Sequence, residues 1–412
     1  MRANTVLRTL LALQSLYVRG FSFAEDGIVI EVVPSNRVSR CSCCEARVRR
    51  GYDKRWRTWR HLDLAGVKTI LRYEIQRVEC GSCGVKVERV PWADPGSNFT
   101  RAFEEHTAYL AQRCDTTTVS RLMRTAWQTV GRIVRGVTDR HERSRADRLD
   151  GLRLIGIDEL SYRRHHKYVT TVVDHERAEI VWAAEGKSAA TLKQFFDELG
   201  PDRCSKLEAV TIDLSAAFIK AVTEASPEAR IIFDRFHVQR LAHDALDQVR
   251  REAVRDAIPE DRVSLKRTRW ALQKNPWNLT GFEHDRLAGL QRANGPIYRA
   301  YLLKEALLGI LDRRQVNVAR AKLDEWLSWA KRSRLQPFAK LARTIKKHSD
   351  GILAYVQTRA NNGRIEGLNG KARTITRRSY GFHSSSALIG MLFLCCGGIN
   401  VSPAHVRPGS TH

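Results

Sequence analysis

The order of apolar and polar residues between positions 152 and 238 predicts a succession of short strands and helices. Three segments, "LRLIGIDELSY", "KYVTTVVDH" and "EIVWAAE", alternate or run apolar with turn residues between them, as strands do. The next segments predict a helix in "TLKQFFDELG", a strand in "LEAVTIDLS", a helix in "AAFIKAVTEA" and a strand in "ARIIFDRFHV". The resulting order, βββαβαβ, indicates a mixed sheet flanked by helices.

The segment before this sheet has the pattern of a helix-turn-helix. Helical spacing in "RAFEEHTAYLAQRC" and "TTTVSRLMRTAWQTVGRIVRGV" is interrupted by "DTTT", which can cap the start of a new helix. We expect a turn near Thr125. The side chains expected to pack inside the pair are Val119, Leu122, Trp127, Val130 and Ile133. Those expected to face a DNA major groove are Gln128, Thr129 and Arg132.

The chain after the sheet is mostly helical in pattern. Between Asp234 and Glu366 lie 131 residues, including "RAYLLKEALLGILDRR" and "VARAKLDEWLSWAKRS". One connection of a sheet does not hold so much chain, so we expect an all-helical insertion projecting from the core. Trp326 and Trp329 are three residues apart on one helical face and are expected to be core residues.

The charge of the chain indicates a polyanionic partner. Seventy lysines and arginines stand against 45 aspartates and glutamates in 412 residues, a formal net charge of +25. Such an imbalance costs self-repulsion unless a polyanion binds, so nucleic acid is the first candidate; a basic protein without such a partner is the alternative. An anionic membrane fits less well, because the basic residues are spread along the whole length.

Apolar stretches do not indicate a membrane protein. The stretch "ALIGMLFLCC" is too short to cross a bilayer, and the N-terminus lacks the pattern of a secretory signal. We therefore expect a cytoplasmic protein without a membrane partner.

The nine cysteines are odd in number, and four of them have metal-ligand spacing. Cys41 and Cys44 form one CxxC pair, and Cys80 and Cys83 form a second after 35 intervening residues. Four thiolates in two such turns can surround one tetrahedral Zn²⁺, and "HLDLAGVKTILRYEIQRVEC" predicts two strands around a glycine turn that would bring the pairs together. Cys43 is a spare thiol or a substitute ligand. A redox role is the alternative.

Between the cysteine pairs lies a run of basic and aromatic residues. Its arginines expected to contact DNA are Arg47, Arg49, Arg50, Arg55 and Arg57, interleaved with Tyr52, Trp56 and Trp59. Guanidinium groups pair with phosphates, and aromatic rings pack on sugars or stack on bases. The alternative is a solvated loop whose tryptophans cover a small zinc-dependent core.

Two carboxylates follow predicted strands of the sheet. Asp158 follows "LIGI" on the first strand, and Asp213 follows "AVTI" on the fourth, 55 residues later. If these strands are neighbours, the like charges meet at one edge and repel unless a cation lies between them, and oxygen ligands suit Mg²⁺. For Asp213 alone, capping of the next helix is an equal alternative.

A third acid lies late in the chain, in "RANNGRIEGLNGKART". Glu366 would share one side of a helix with Asn362 and Asn369 and would complete a two-metal site. A surface ion pair is the alternative. The basic residues available there for phosphates are Arg364, Lys371 and Arg373.

With these motifs, nearly the whole chain resembles transposases of bacterial insertion sequences of the ISL-three family. The resemblance rests on the double CxxC finger, "HLDL", "RVECGSC", the helix-turn-helix, "GIDE", "TIDLSAAF", "FDRFHV" and "NNGRIEGLNGKAR". It implies an RNase H-like core with a catalytic triad at Asp158, Asp213 and Glu366 that binds Mg²⁺ or Mn²⁺. It also implies a supporting Asp-x-x-His motif at Asp234 and His237. Asp234 lies close enough to rival Asp213, and Cys43 makes the choice of zinc ligands ambiguous.

The expected architecture is therefore a multidomain α/β protein. Its expected parts are a zinc finger at 1–95, a helix-turn-helix and linker at 96–150, the first part of the catalytic core at 151–238, an all-helical insertion at 239–350, and the rest of the core with C-terminal helices at 351–412.

The resemblance implies a DNA transposase in the bacterial cytoplasm, associated with the nucleoid. It would bind the terminal inverted repeats, cut phosphodiester bonds and join the 3′-OH ends to target DNA, as a homodimer or larger assembly on DNA. A non-catalytic DNA-binding regulator and an RNase H-like nuclease without strand transfer are the two alternatives.

Overall fold

The computed structural model describes residues 3–11, 16–36, 38–163, 167–259, 262, 265, 267–358, 363–379 and 381–403. Within these ranges, the side chains of residues 3, 162, 163, 293, 363–366 and 369 are outside the description. The chain forms two compact units. The first contains Met1–Arg145, Arg378–Tyr380 and Gly390–His412, and the second contains Ala146–Arg377 and Gly381–Ile389.

The first unit contains a five-stranded sheet. Its strands are β1 (Leu16–Ala24), β2 (Gly27–Pro34), β3 (Gly51–Leu64), β4 (Val67–Cys80) and β5 (Gly84–Val87). They are ordered β1-β2-β4-β3, with β5 also paired to β4. Neighbouring strands are antiparallel except for β2 and β4, which are parallel.

The long hairpin of β3 and β4 confirms the two strands predicted around a glycine turn. Ala65 and Gly66 both have positive φ, 50° and 83°, which a tight two-residue hairpin turn requires. Strand β3 begins at Gly51, so most of the basic and aromatic run lies on a strand. Trp59 is 1% exposed and packs edge-to-face on Trp92, with ring centroids 5.6 Å apart.

Four helices belong to the first unit: α1 (Ala3–Leu10), α2 (Arg101–Ala111), α3 (Thr116–Leu122) and α4 (Trp127–Ser144). As the "DTTT" segment predicts, Asp115 caps α3, and its side chain accepts a hydrogen bond from the Thr118 N–H at 3.0 Å. From Gly390 onward the chain groups with this unit, where the Gln112 side chain donates to the Leu394 carbonyl at 2.7 Å.

Two residues expected inside the helix-turn-helix are exposed. Leu122 is 58% exposed and Trp127 is 47% exposed, so that part of the prediction was wrong. Val119 is buried as expected, but the residue one helical turn further on is Met123, which fills the place expected for Leu122. Trp127 is the first residue of α4, and the buried stripe begins one turn later. That stripe consists of Val130, Ile133, Val134 and Val137.

The second unit contains the predicted mixed sheet. Its strands are β6 (Leu154–Arg163), β7 (Lys167–Asp174), β8 (Glu179–Glu185), β9 (Ala209–Ile212) and β10 (Arg230–Phe233). Its first helices are α5 (Ala189–Leu199), α6 (Pro201–Cys204), α7 (Ala216–Ala225) and α8 (Arg235–Asp256). The strand order is β10-β9-β6-β7-β8. Strands β6, β7 and β8 are antiparallel, whereas β9 runs parallel to both β6 and β10.

The fifth predicted strand is shorter than expected. It ends at Phe233, and α8 begins at Arg235, so the "RFHV" part of the segment is helical. Asp234 is the reason, because its carboxylate accepts a hydrogen bond from the Phe236 N–H at 3.1 Å and caps the helix.

From Arg235 to Thr358 the described chain contains helices and no strand. After α8 these are Arg269–Gln273, a 3₁₀ turn at Pro276–Asn278, Gly281–Ala293, Gly295–Leu311, Val316–Arg332, Gln336–Lys347 and Ser349–Thr358. Trp326 is a core residue as predicted, 2% exposed, and its indole N–H donates to the Leu303 carbonyl at 2.8 Å. Trp329, at 37% exposure, faces outward instead.

Two further helices, Gly363–Arg378 and Ser385–Cys396, complete the described chain. No helix in these ranges is long and apolar enough to cross a membrane.

The helix Ser349–Thr358 approaches β10 most closely at Gly351. A Cβ atom added there would lie 2.4 Å from the Phe233 ring and 3.1 Å from the Ile231 carbonyl oxygen. The glycine therefore sets the distance between this helix and the strand that leads to Asp234.

We predict that Gly351→Ala destabilises the protein by about 1–3 kcal/mol, because the added methyl group displaces a buried ring. Gly309→Ala is the control, since its added Cβ meets nothing within 4 Å. The control should leave stability unchanged or raise it by up to about 1 kcal/mol through helix propensity. Thermal unfolding of the two variants measures the difference, and equal melting temperatures would contradict the close approach.

Candidate functional site

Four cysteines form a metal-binding cluster in the first unit. The Sγ atoms of Cys41, Cys44, Cys80 and Cys83 all lie within 4.8 Å of one another. Tetrahedral Zn²⁺ with Zn–S bonds of about 2.3 Å requires Sγ atoms about 3.8 Å apart, so these residues fit the ion. The cluster brings together the four cysteines of the two CxxC pairs and so supports zinc binding.

Backbone N–H groups surround the sulfur atoms. The Cys43 N–H lies 3.4 Å from the Cys41 Sγ and points to it. The N–H groups of Ser82 and Cys83 hydrogen-bond the Cys80 thiol and lower its pKa to about 7. Such donors favour the thiolate form that binds zinc.

Cys43 itself is exposed and is not a member of the four-sulfur cluster. Its main-chain N–H supports the site, while Cys41 and Cys44 supply the sulfurs. The sequence left this choice open, because "CSCC" alone permits either pairing.

The basic run on β3 has an exposed side and a buried side. Tyr52 and Trp56 are 62% and 51% exposed, and the guanidinium groups of Arg77 and Arg72 lie over their rings at 5.1 and 4.2 Å. Trp59, in contrast, is a core residue. The alternative of a tryptophan that covers the core therefore holds for Trp59, whereas Tyr52 and Trp56 lie at the surface, and their contact with DNA stays a prediction.

The arginines of this run also differ from one another. Arg47, Arg49, Arg50 and Arg55 are exposed. Arg57 is half-buried and donates to the Ser97 carbonyl at 2.8 Å, and burial lowers the pKa of its guanidinium. The existing contact of Arg57 holds the loop before α2, which makes it the least available of the five for DNA.

The helix-turn-helix presents the polar residues that its pattern predicts. Gln128 and Arg132 are exposed near the start of α4, and Thr129 is half-buried between them. Arg132 lies 3.5 Å from the Thr129 hydroxyl. These three residues thus form one polar surface at the N-terminal end of the longer helix.

The second unit collects acidic residues at one edge of its sheet. In the parallel pairing of β6 and β9, Gly156 stands opposite Thr211; in that of β9 and β10, Ile212 stands opposite Phe233. Two residues further along the first pairing, Asp158 stands opposite Asp213. One residue further along the second pairing, Asp213 stands opposite Asp234, so the three aspartates lie at the same level. The neighbouring first and fourth strands of the prediction are confirmed, and the fifth strand adds a third aspartate.

The charges in this cluster influence one another. Burial raises the pKa of Asp158, the charges of Asp234 and Asp213 raise it further, and the Glu159 N–H opposes them with a 2.7 Å hydrogen bond to Oδ1. The pKa of His237 is raised by its hydrogen bond to Asp234, with Nδ1 and Oδ2 3.0 Å apart. Like-charged carboxylates held in this way favour binding of a cation.

The two rival aspartates have different local roles. Asp234 caps α8 and also holds His237. Asp213 is not the cap of α7: the cap position is Ser215, whose N–H donates to the Asp213 Oδ1 at 2.9 Å. The capping alternative considered for Asp213 therefore applies to Asp234.

The third predicted acid and its neighbours lie partly outside the description. The backbone of Glu366 belongs to the helix Gly363–Arg378, but its side chain is not among those described. The same holds for Arg364 and Asn369, and Asn362 lies entirely outside the described residues. Among described side chains, the four thiols are the only group of three or more possible ligands close enough together to hold a metal ion.

Two residues near the aspartates were missed in the sequence. Burial and the charge of Asp213 raise the pKa of Glu159, and the ammonium group of Lys187 opposes this. Glu159 adjoins Asp158 in "GIDE", so its position was a usable signal. Lys187, which follows β8 and lies 3.9 Å from the Tyr168 ring centroid, carries no such signal because only the sheet brings it near.

Three protein-family models match successive parts of the chain. A DDE-type family model described as a transposase matches residues 155–392. A helix-turn-helix domain of transposase family ISL3 matches residues 88–137, and a zinc finger of the transposases IS204, IS1001, IS1096 and IS1165 matches residues 37–83.

Two relatives match over most of their length. The transposase for insertion sequence element IS1557 of Mycobacterium tuberculosis is 38% identical over 431 residues, covering 97% of this chain and 96% of the relative. The transposase for insertion sequence element IS1001 of Bordetella parapertussis is 28% identical over 358 residues, covering 86% and 87%.

We predict that replacing both Cys80 and Cys83 by Ser abolishes zinc binding and unfolds roughly the first 95 residues, because structural zinc contributes folding free energy directly. Zinc content of the purified protein and limited proteolysis measure the two effects. Cys43→Ser is the matched control and should retain one zinc per chain. Zinc lost equally in the control, or absent from the wild-type protein, would contradict the assignment.

Proposed function

The chain belongs to the ISL3 family of insertion-sequence transposases, and from this premise we propose that it cuts and rejoins DNA at the ends of its own element. The observation that carries the proposal is the alignment of Asp158, midway along β6, with Asp213 and Asp234, which directly follow the neighbouring parallel strands β9 and β10. The strand order of this sheet, three antiparallel strands followed by two parallel ones, supports an RNase H-like core.

Recognition of the terminal inverted repeats is assigned to the first unit. Gln128, Thr129 and Arg132 would face the major groove, where amide and guanidinium groups discriminate base edges. The exposed arginines of the finger would contact phosphates and set the orientation of the duplex. Arg57 would support this surface from beneath, because it already binds the Ser97 carbonyl.

Asp158, Asp213 and Glu366 are assigned as the ligands of two divalent cations, Mg²⁺ or Mn²⁺. Carboxylate oxygens suit these ions. Burial and the neighbouring carboxylates raise the pKa of Asp158, and a bound cation would offset this repulsion and stabilise the ionised carboxylate. When bound, the ions would supply a more acidic attacking water and neutralise charge on the phosphate.

Asp213 is preferred to Asp234 as the second catalytic acid. Both oxygens of the Asp234 carboxylate are already hydrogen-bonded, Oδ1 to the Phe236 N–H and Oδ2 to the His237 ring. Asp213 has one described backbone contact, to the Ser215 N–H, which leaves its second oxygen available for a ligand. Asp234 would hold the His237 ring in place beside the catalytic acids.

Residues of the late helix would bind the DNA backbone near the reaction. Lys371 and Arg373 are exposed on it, and Arg364, Asn362 and Asn369 are assigned to the same surface by their spacing from Glu366.

The proposal keeps the predicted domain boundaries after residues 95, 150, 238 and 350, and it treats 239–350 as a helical insertion into the catalytic core.

The reaction would proceed in two phosphoryl transfers. In the first, water attacks a phosphodiester bond at the end of the element and frees a 3′-OH. In the second, this 3′-OH attacks a phosphodiester bond of the target DNA in the same active site. Pairing two ends requires at least a homodimer on DNA. Because the DNA substrate would be the bacterial chromosome, the expected location is the cytoplasm, at the nucleoid.

We predict that Asp213→Asn lowers cleavage by at least about a thousandfold, because a catalytic metal supplies several kcal/mol. Binding to end DNA should persist or tighten, since the change removes a charge that repels phosphate. Cleavage and joining of a labelled element end by wild type and variant measure the effect.

Asp234→Asn is the comparison variant in that experiment. Asn caps a helix as well as Asp does, so α8 should persist, and the residual activity should exceed that of Asp213→Asn. If Asp213→Asn cut at near wild-type rate while Asp234→Asn were inactive, the second catalytic acid would be Asp234. Metal-dependent cutting without joined products would favour the simple nuclease, and no cutting by wild type would favour the regulator.

We also predict that Gln128→Ala and Arg132→Ala each weaken binding to the element's ends by about 1–3 kcal/mol, as loss of a base contact does. Arg143→Ala, an exposed change in the last turn of the same helix, should cost much less. Electrophoretic mobility shifts on end DNA and on unrelated duplex measure specificity. Equal losses of affinity for all three variants on both DNAs would contradict the assignment of sequence recognition to the start of this helix.

A further inference from the structure

The helical part of the second unit carries a group of unusually exposed aromatic side chains. Trp270, Trp277 and Phe282 are 66%, 75% and 67% exposed, and they fall within 13 consecutive residues. They lie on the short helix Arg269–Gln273, the turn Pro276–Asn278 and the first turn of the helix Gly281–Ala293. Single exposed aromatics are ordinary, but three strongly exposed rings within 13 residues of the chain favour a binding surface.

The segment that carries these rings is firmly attached. Ala271 and Leu272, next to Trp270, are 2% and 1% exposed. The buried ammonium group of Lys304 donates to the Leu272 carbonyl at 2.9 Å and so fixes the end of the short helix. The three rings therefore project from a supported surface.

Two polar contacts join the short helix to the next one. Lys274 and Glu283 form an ion pair at 2.7 Å, and Arg286 donates to the Arg267 carbonyl at 3.1 Å. Both contacts cross the turn that contains Trp277. They limit how far the two helices can move apart.

Cationic groups accompany the rings. The guanidinium carbon of Arg269 lies 5.2 Å from the Trp270 ring centroid, and that of Arg286 lies 4.3 Å from the Phe282 ring centroid. Residues 262–286 contain six lysines and arginines against two acids. This charge suits a polyanion, whereas an apolar protein partner would have to remove water from the guanidinium groups.

We propose that Trp270, Trp277 and Phe282 form an aromatic platform on which unpaired DNA bases stack, while Arg269 and Arg286 contact the adjacent phosphates. The proposal rests on the DNA-processing function above and specifies a further DNA substrate feature. Bases in an intact duplex have their faces covered by neighbouring pairs, so the platform selects DNA whose strands are locally separated. Every base has a π-face, and recognition is therefore independent of sequence.

The test uses the full-length protein with Asp158→Asn, without added divalent metal, so that no cleavage occurs. The probes are a single strand containing 2-aminopurine, the same sequence fully paired, and a duplex with a central unpaired stretch. Binding constants and 2-aminopurine quenching are measured for Trp270→Ala, Trp277→Ala and Phe282→Ala. Trp270→Phe is the conservative variant, and Trp329→Ala is the control for loss of a partly exposed ring elsewhere in the helical region.

We expect each alanine variant to lose about tenfold in affinity for the two unpaired probes and to lose quenching, with little change on paired DNA. Trp270→Phe should retain most of the binding, and Trp329→Ala should retain all of it. Melting temperature and zinc content should equal those of the parent protein, because the three side chains are exposed.

Equal losses on paired and unpaired probes, or no loss on any probe, would overturn the platform. Unchanged DNA binding with altered sedimentation would instead identify the surface as a contact between protein chains. Since no cleavage is measured, this outcome is independent of the Asp213→Asn result, and either proposal can fail while the other stands.

Discussion

The parallel pairing of β6 with β9, and of β9 with β10, is the constraint on which the second unit depends. It brings the ends of β9 and β10, each followed by an aspartate, level with Asp158 in the middle of β6. Burial and mutual repulsion raise the pKa of Asp158, so the arrangement is unfavourable until positive charge is supplied. His237 lies beside this cluster, and its hydrogen bond to Asp234 raises the pKa of its imidazole. The close packing of helix Ser349–Thr358 at Gly351 supports the outer strand of this arrangement.

The zinc cluster plays the corresponding part in the first unit. Its four sulfurs come from two turns separated by the long β3–β4 hairpin, so metal binding closes a loop that contains most of that sheet. The hairpin also sorts its side chains by strand alternation: Trp59 enters the core, while Tyr52 and Trp56 stay at the surface with arginines over their rings. The cysteine cluster thus lies at the open end of the hairpin whose strands carry the exposed basic surface.

The excess of positive charge is distributed over several surfaces with different chemistry. The finger offers guanidinium groups with aromatics, the start of α4 offers amide and guanidinium groups, and the segment around Trp270 offers aromatic faces. Phosphates, base edges and unpaired bases are the matching parts of DNA. These matches are the basis of the DNA contacts proposed above.

The sequence by itself determined the features that depend on local spacing. The CxxC pairs predicted the four cysteines that cluster, the apolar pattern predicted the strands of the second sheet and the β3–β4 hairpin of the first, and Asp115 marked the start of α3. Strands β1, β2 and β5 were not predicted. Strand patterns pointed to Asp158 and Asp213, and the family resemblance implied a triad with Glu366. Spacing alone did not distinguish Leu122 from Met123, because both fit a helical repeat and only packing selects one.

Tertiary structure decided the rest. It buried Trp59 and placed Arg57 on the Ser97 carbonyl, and it ended β10 at Phe233 so that Asp234 became a helix cap. It also brought both Asp213 and Lys187 near Glu159. These outcomes depend on contacts between residues far apart in the chain. A carboxylate in the sequence shows that a charge is present, but its neighbours, and therefore its role, are set by the strands that pair beside it.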